Sequence, residues 1–120
     1  MSEPILIRVF EVVGSGLCVA SGDGQKVHDQ ITAALRQGHT VRLSFRNVES
    51  LTSAFLNAAV GQLYGEFSED QIKAGLSVSN MEPDDLALLR RVVETAKQYF
   101  KDPRRFTEAV REVVGEDDEE

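Results

Sequence analysis

The chain has 120 residues, 42% of them apolar and 28% charged, with a net charge of −7. That is enough for one core and too little for two ordinary domains, and no apolar run approaches the roughly 18 residues that a membrane span needs. The acidic balance excludes the basic face that nucleic-acid binding normally requires, and five of the acids, Glu116 to Glu120, simply end the chain.

Taken in order, "PILIRVF", Pro4 to Phe10, reads as an opening strand, and "GLCVAS", Gly16 to Ser21, as a second one reached through the "GSG" turn, so the two together predict a hairpin. The start "MSEPILIRVF" lacks the basic region and long apolar run of an export signal, and the lone Cys18 forms no internal disulfide, so the expected compartment is the cytoplasm. Val27, Ile31, Ala34 and Leu35 then fall at helical spacing. They predict a helix from about Gly24 to Gln37, with Ser21 or Asp23 to cap it and Gly38 to stop it. "HTVRLSF" follows as a strand, and after the loop "RNVES" a helix begins near Thr52 or Ser53 and runs to about Tyr64.

"EFSEDQIKAG" reads as a loop with a short helical turn, and "LSVSN", Leu76 to Asn80, as a further strand. A long helix comes next, with Asp84 or Asp85 near its start and a stripe of Leu86, Leu89, Val93, Ala96 and Phe100. Pro103 breaks or restarts it, and Phe106, Val110 and Val113 mark a final short helix. The expected unit is one domain over residues 1–114, with 110–114 ending the last helix and an acidic, disordered tail over 115–120. Strands alternating with helices of this length predict an α/β fold, mainly parallel, with an antiparallel edge from the opening hairpin.

Most residues that suggest chemistry have a plainer use. The glycines of "GSGLCVASGDG" invite a phosphate-loop reading at a helix start, but neither GxGxxG nor GxxxxGK[ST] is present, and turns and caps explain them. Cys18 sits in an apolar pattern and reads as a buried structural thiol, and no signature joins it to His28 or His39. His39 beside Gly38 reads as a surface residue, and two isolated histidines make no metal site. Glu82, Asp84 and Asp85 complement a helix N-terminus, and Arg90, Arg91, Arg104 and Arg105 read as a solvated face paired with Glu94 and nearby acids. No cofactor and no catalytic residue is expected.

At "VRLSFRNVESLTSAFLNAAVGQL" and "LSVSNM" the sequence resembles the STAS-like domains, small bacterial proteins of undefined function similar to the STAS domains of anti-sigma-factor antagonists. In that group the strand reads as "V.LDF.GV", the helix begins near "S.SF", and a strand ending in "N" precedes the last long helix. The resemblance runs from about Val9 to Phe100 and implies a mixed four- or five-stranded sheet with helices mainly on one face. It also implies a non-catalytic regulatory module that docks a protein, of which a GHKL-type ATPase or kinase is one kind. Two positions depart from the STAS pattern: Ser44 stands where the strand aspartate is usual, and Ala54 stands at the serine that such kinases phosphorylate. Ser53 or Thr52 remains as an acceptor after a short shift, although capping alone explains both.

The expected partner surface is therefore Arg46, Asn47, Glu49 and Ser50 of the loop with Thr52, Ser53 and Asn57 of the helix start, while Phe55, Leu56 and Val60 enter the core. An alternative is a small nucleotide-binding or sensory domain using the glycine-rich turn. Homodimers would form through an exposed edge strand.

Overall fold

The computed structural model describes residues 3–101, which build a single core. The first strand, β1 (Ile5–Arg8), stops earlier than its apolar run suggests, because Val9–Val13 turns into a short helix, α1. Val9, Val12 and Val13 recur at helical spacing, and Gly14, at φ 86°, closes the helix by donating to the Phe10 carbonyl at 2.8 Å. β2 (Leu17–Cys18) follows, then α2 (Ser21–Arg36), β3 (Val41–Ser44) and β4 (Ser50–Leu51). The remaining elements are α3 (Ser53–Ala59), a 3₁₀ turn (Gly61–Gly65), α4 (Glu69–Gly75), β5 (Leu76–Ser79) and α5 (Pro83–Lys101).

The expected hairpin does not form. β1 and β2 join different sheets: β1 pairs with β3, and β2 with β4, both in parallel. Adjacent strands joined by a tight turn can only be antiparallel, so inserting α1 between them frees each for a distant parallel partner. The main sheet has three strands in the order β1-β3-β5, all parallel, with Ile7 opposite Leu43 and Leu43 opposite Val78. The five strands are thus divided between a three-stranded sheet and a two-stranded ribbon, rather than forming one sheet of four or five.

Side chains alternate across each strand. Ile7, Val41 and Leu43 are buried, and Leu76 and Val78 pack against the same core, whereas Leu6, Arg8, Arg42 and Ser77 are exposed on the opposite face. Helices cover the first face. Val27, Ile31 and Ala34 come from α2, Phe55, Leu56 and Ala59 from α3, and Leu89, Val92 and Ala96 from α5.

α2 begins at Ser21, behind an extended Ala20, so Ser21 and Asp23 lie within its first turn and cap nothing. Gly38, at φ 86°, ends it as expected. Gly24 has a role that its sequence context hides: it is buried at the crossing of α2 and α3, where a Cβ would run into the Phe55 carbonyl oxygen and come within 2.9 Å of Ala58 Cβ. Only a glycine lets the two helices approach so closely.

α3 stops at Ala59, five residues short of Tyr64, and the chain tightens into the 3₁₀ turn. α4 is a full helix where a loop with one helical turn is expected. Ser68 Oγ accepts from the Gln71 N–H at 3.1 Å and the Gln71 side chain accepts from the Ser68 N–H at 2.8 Å, a reciprocal cap that "SEDQ" encodes. α5 starts with Pro83 at the position where a missing N–H costs least, and Asp84 and Asp85 follow in its first turn. Its buried stripe is Leu89, Val92 and Ala96. Leu86, Val93 and Phe100 are only partly covered. The expected restart at Pro103, the helix through Phe106, Val110 and Val113, and the boundary at 114 lie outside the described residues. Among the described residues, no helix is long and apolar enough to cross a membrane.

Candidate functional site

Thr52 caps α3. Its Oγ1 accepts from the Phe55 N–H at 3.2 Å and donates to the Val19 carbonyl at 2.7 Å, and its own N–H donates to the Cys18 carbonyl at 3.2 Å. The hydroxyl is therefore fully engaged in holding the helix start against the end of β2. Ser53, the first residue of α3, makes no such contact and is exposed, as are Ala54 and Asn57. Phe55, Leu56 and Val60 turn into the core as expected.

The exposed side of α3 faces α5 across an open groove of about 540 Å³. Ser53, Ala54 and Asn57 form one wall; Leu88, Arg91, Val92 and Thr95 form the other. Arg91 is the one charged residue among these, so the groove is locally positive on an acidic protein. Neither Arg90 nor Arg91 forms an ion pair among the described residues, so the pairing expected with Glu94 is not made; Arg104 and Arg105 lie outside those residues. The α5 wall escapes a reading based on the loop motif. Its residues recur at steps of three and four and so mark one helix face, but nothing local says which element that face meets.

The loop residues lie apart from this groove. Glu49 N–H and Ser50 N–H both donate to the Gly16 carbonyl, at 2.8 and 3.1 Å, so the loop packs on the turn before β2. Asn47 adopts the left-handed conformation at φ 68°, where asparagine is among the better-tolerated side chains. Arg46, Asn47, Glu49 and Ser50 are all exposed, but none of them lines the groove. The surface expected as one patch thus has two parts, Ser53 and Asn57 on the groove and Arg46, Asn47, Glu49 and Ser50 off it. Ser44 belongs to neither part. It is buried, donates to Asn80 Oδ1 at 3.3 Å and accepts from the Arg46 N–H at 3.3 Å, so it ties the ends of β3 and β5 to the loop.

Cys18 is fully buried, and that burial, reinforced by the charge of Asp23, pushes its thiol up to about 11. His28 is also buried, at 6% exposure, and its neighbours are Gln25, Asp29 and Glu66. Glu66 Oε2 stands 3.1 Å from His28 Nε2 but out of line for a hydrogen bond, and that nitrogen has no other partner among the described residues. His39 is partly exposed. Among the described residues, no group of three or more His, Cys, Asp or Glu side chains is placed to hold a metal ion. In the glycine-rich turn, Gly24 serves helix packing, and Asp23, paired with Lys26 at 3.4 Å, puts a carboxylate in the first turn of α2, which is unfavourable for a phosphate there.

The family model for the STAS-like domain of unknown function (DUF4325) matches residues 23–86, just over half of the chain. The chain belongs to this family. No curated protein and no solved structure gives a significant match. The matched span of the STAS-like domain runs from the first turn of α2 to the first turn of α5. It contains the loop and the whole of α3, while Leu88, Arg91, Val92 and Thr95, the α5 wall of the groove, lie beyond it.

Proposed function

We propose that this STAS-like domain is a non-catalytic regulatory module that binds a protein through the groove between α3 and α5. The observation that carries the reading is the open groove itself, in which the exposed start of α3 faces apolar Leu88 and Val92 and an Arg91 that has no ion pair among the described residues. Partly apolar floors with a fixed charge are what protein partners use for anchoring and register. Arg46, Asn47, Glu49 and Ser50 flank this surface as a separate, secondary contact. Cys18 takes no part in this reading, because its thiol is buried.

In this proposal the partner is a regulatory protein of the GHKL ATPase or kinase type, by analogy with anti-sigma-factor antagonists, and the complex forms in the cytoplasm. Ala54 offers no hydroxyl, and the Thr52 hydroxyl is bonded on both sides. Ser53 is therefore the acceptor that a kinase would find exposed.

The test is copurification of the full chain from its own cells, followed by binding measurements with the recovered partner. Asn57→Arg narrows the groove without touching the core and is expected to weaken binding at least tenfold, whereas Arg42→Glu on the opposite sheet face leaves it unchanged. Equal affinity for wild type and Asn57→Arg would sink the groove as the docking site.

A further inference from the structure

A second feature is independent of that groove. β5 ends the main sheet: β3 occupies one side of it, and among the described residues no strand occupies the other. The Phe45 N–H donates to the Ser79 carbonyl at 3.0 Å, so the backbone of Ser79, and of Ser77 two residues before it, faces β3. Leu76 and Val78 therefore direct their backbone groups to the open side. The Leu76 N–H is already taken by the Ile72 carbonyl at the end of α4, which leaves Val78 as the residue with both its N–H and its C=O on the free edge.

A cavity of about 490 Å³ lies between β5, α4, α5 and the 3₁₀ turn. It is lined by Leu76 and Val78, from the core side of the strand, and also by Ser77, from the other side. Its other walls include Tyr64 of the 3₁₀ turn and Leu89 and Val93 of α5, so helices border the space beside β5 and leave room there for an added strand. Ile72 of α4 also lines it, as do Asp70 and Lys73, one turn apart on the same helix. Both are exposed, and neither has an ion pair among the described residues, in contrast to Glu69, which Lys97 holds at 3.0 Å.

We propose that β5 pairs antiparallel with β5 of a second copy of this chain, about a twofold axis that sets Asp70 of each copy against Lys73 of the other. The charges favour a second copy over an unrelated strand. An acid and a base, each unpaired, on one helix face are complementary to the same face turned through a twofold, whereas a partner of single sign would meet one of them unfavourably. The joined sheet would have six strands, in the order β1-β3-β5-β5-β3-β1.

Light scattering on the full chain over a wide concentration range tests this. The molar mass is expected to rise from 13.3 kDa towards twice that value. Asp70→Lys is expected to weaken the association about tenfold or more by opposing like charges, and adding Lys73→Asp to it is expected to restore the association. Val78→Pro removes the free edge N–H and is expected to abolish pairing, with circular dichroism checking that the fold persists. A single-chain mass at every concentration would overturn the proposal. So would a dimer that survives both Asp70→Lys and Val78→Pro. Because Asp70, Lys73 and Val78 do not line the groove between α3 and α5, this outcome is read separately from partner binding there.

Discussion

The Thr52 hydroxyl accepts from the backbone of its own helix and donates to Val19, 33 residues earlier, so one side chain joins a helix cap to a strand end. Thr52→Ala is expected to lower unfolding stability by about 1–2 kcal/mol in urea titrations, and Thr52→Ser to recover most of the loss. Its neighbour Ser53 lacks those bonds, and Ser53→Ala should leave the same titration nearly unchanged. Cys18 gives a second expectation at this scale. Burial raises its thiol from 9.0 to about 11, so the folded chain keeps a proton that the unfolded chain releases first. Stability from this group is intact below pH 9.0 and declines as the pH rises towards 11. At neutral pH a thiol reagent should label Cys18 only when the chain is unfolded; rapid labelling of the native protein would contradict the buried position.

Helix ends and helix crossings set the element scale. The reciprocal cap Ser68–Gln71 makes α4 a helix despite its seven residues, and the signal was present in "SEDQ" as a serine followed three residues later by a glutamine. The α1 helix was hidden because "ILIRVF" is apolar except for Arg8, and a short apolar run does not by itself separate strand from helix. Gly24 was legible only as a turn or cap glycine at the start of a helix, since its neighbour Phe55 is 31 residues away. Gly24→Ala is expected to force α2 and α3 apart and cost about 1–3 kcal/mol, read as a lower thermal midpoint. Gly22→Ala, with open space around it, supplies the control.

Across the whole molecule the central strand carries the greatest burden of packing. Leu43 is fully buried between β1 and β5, whereas Leu6 on the open face is 47% exposed. Leu43→Ala should therefore cost about 2–5 kcal/mol and Leu6→Ala less than about 1 kcal/mol in chemical denaturation. The α/β class, the order of β3, α3, β5 and α5, the cap at Thr52 and the inward turn of Phe55 were all legible in the sequence. They depend on spacing and on contacts within a turn or two, which one stretch of chain contains. The resemblance carried by "VRLSFRNVESLTSAFLNAAVGQL" and "LSVSNM" likewise led to the family. The division of the strands into two parallel sheets, the meeting of Ser53 and Asn57 with Arg91, and the free edge at β5 were decided only in three dimensions. Each depends on which distant segment packs beside which, and the periodicity of a segment fixes the face it buries but not the partner that buries it.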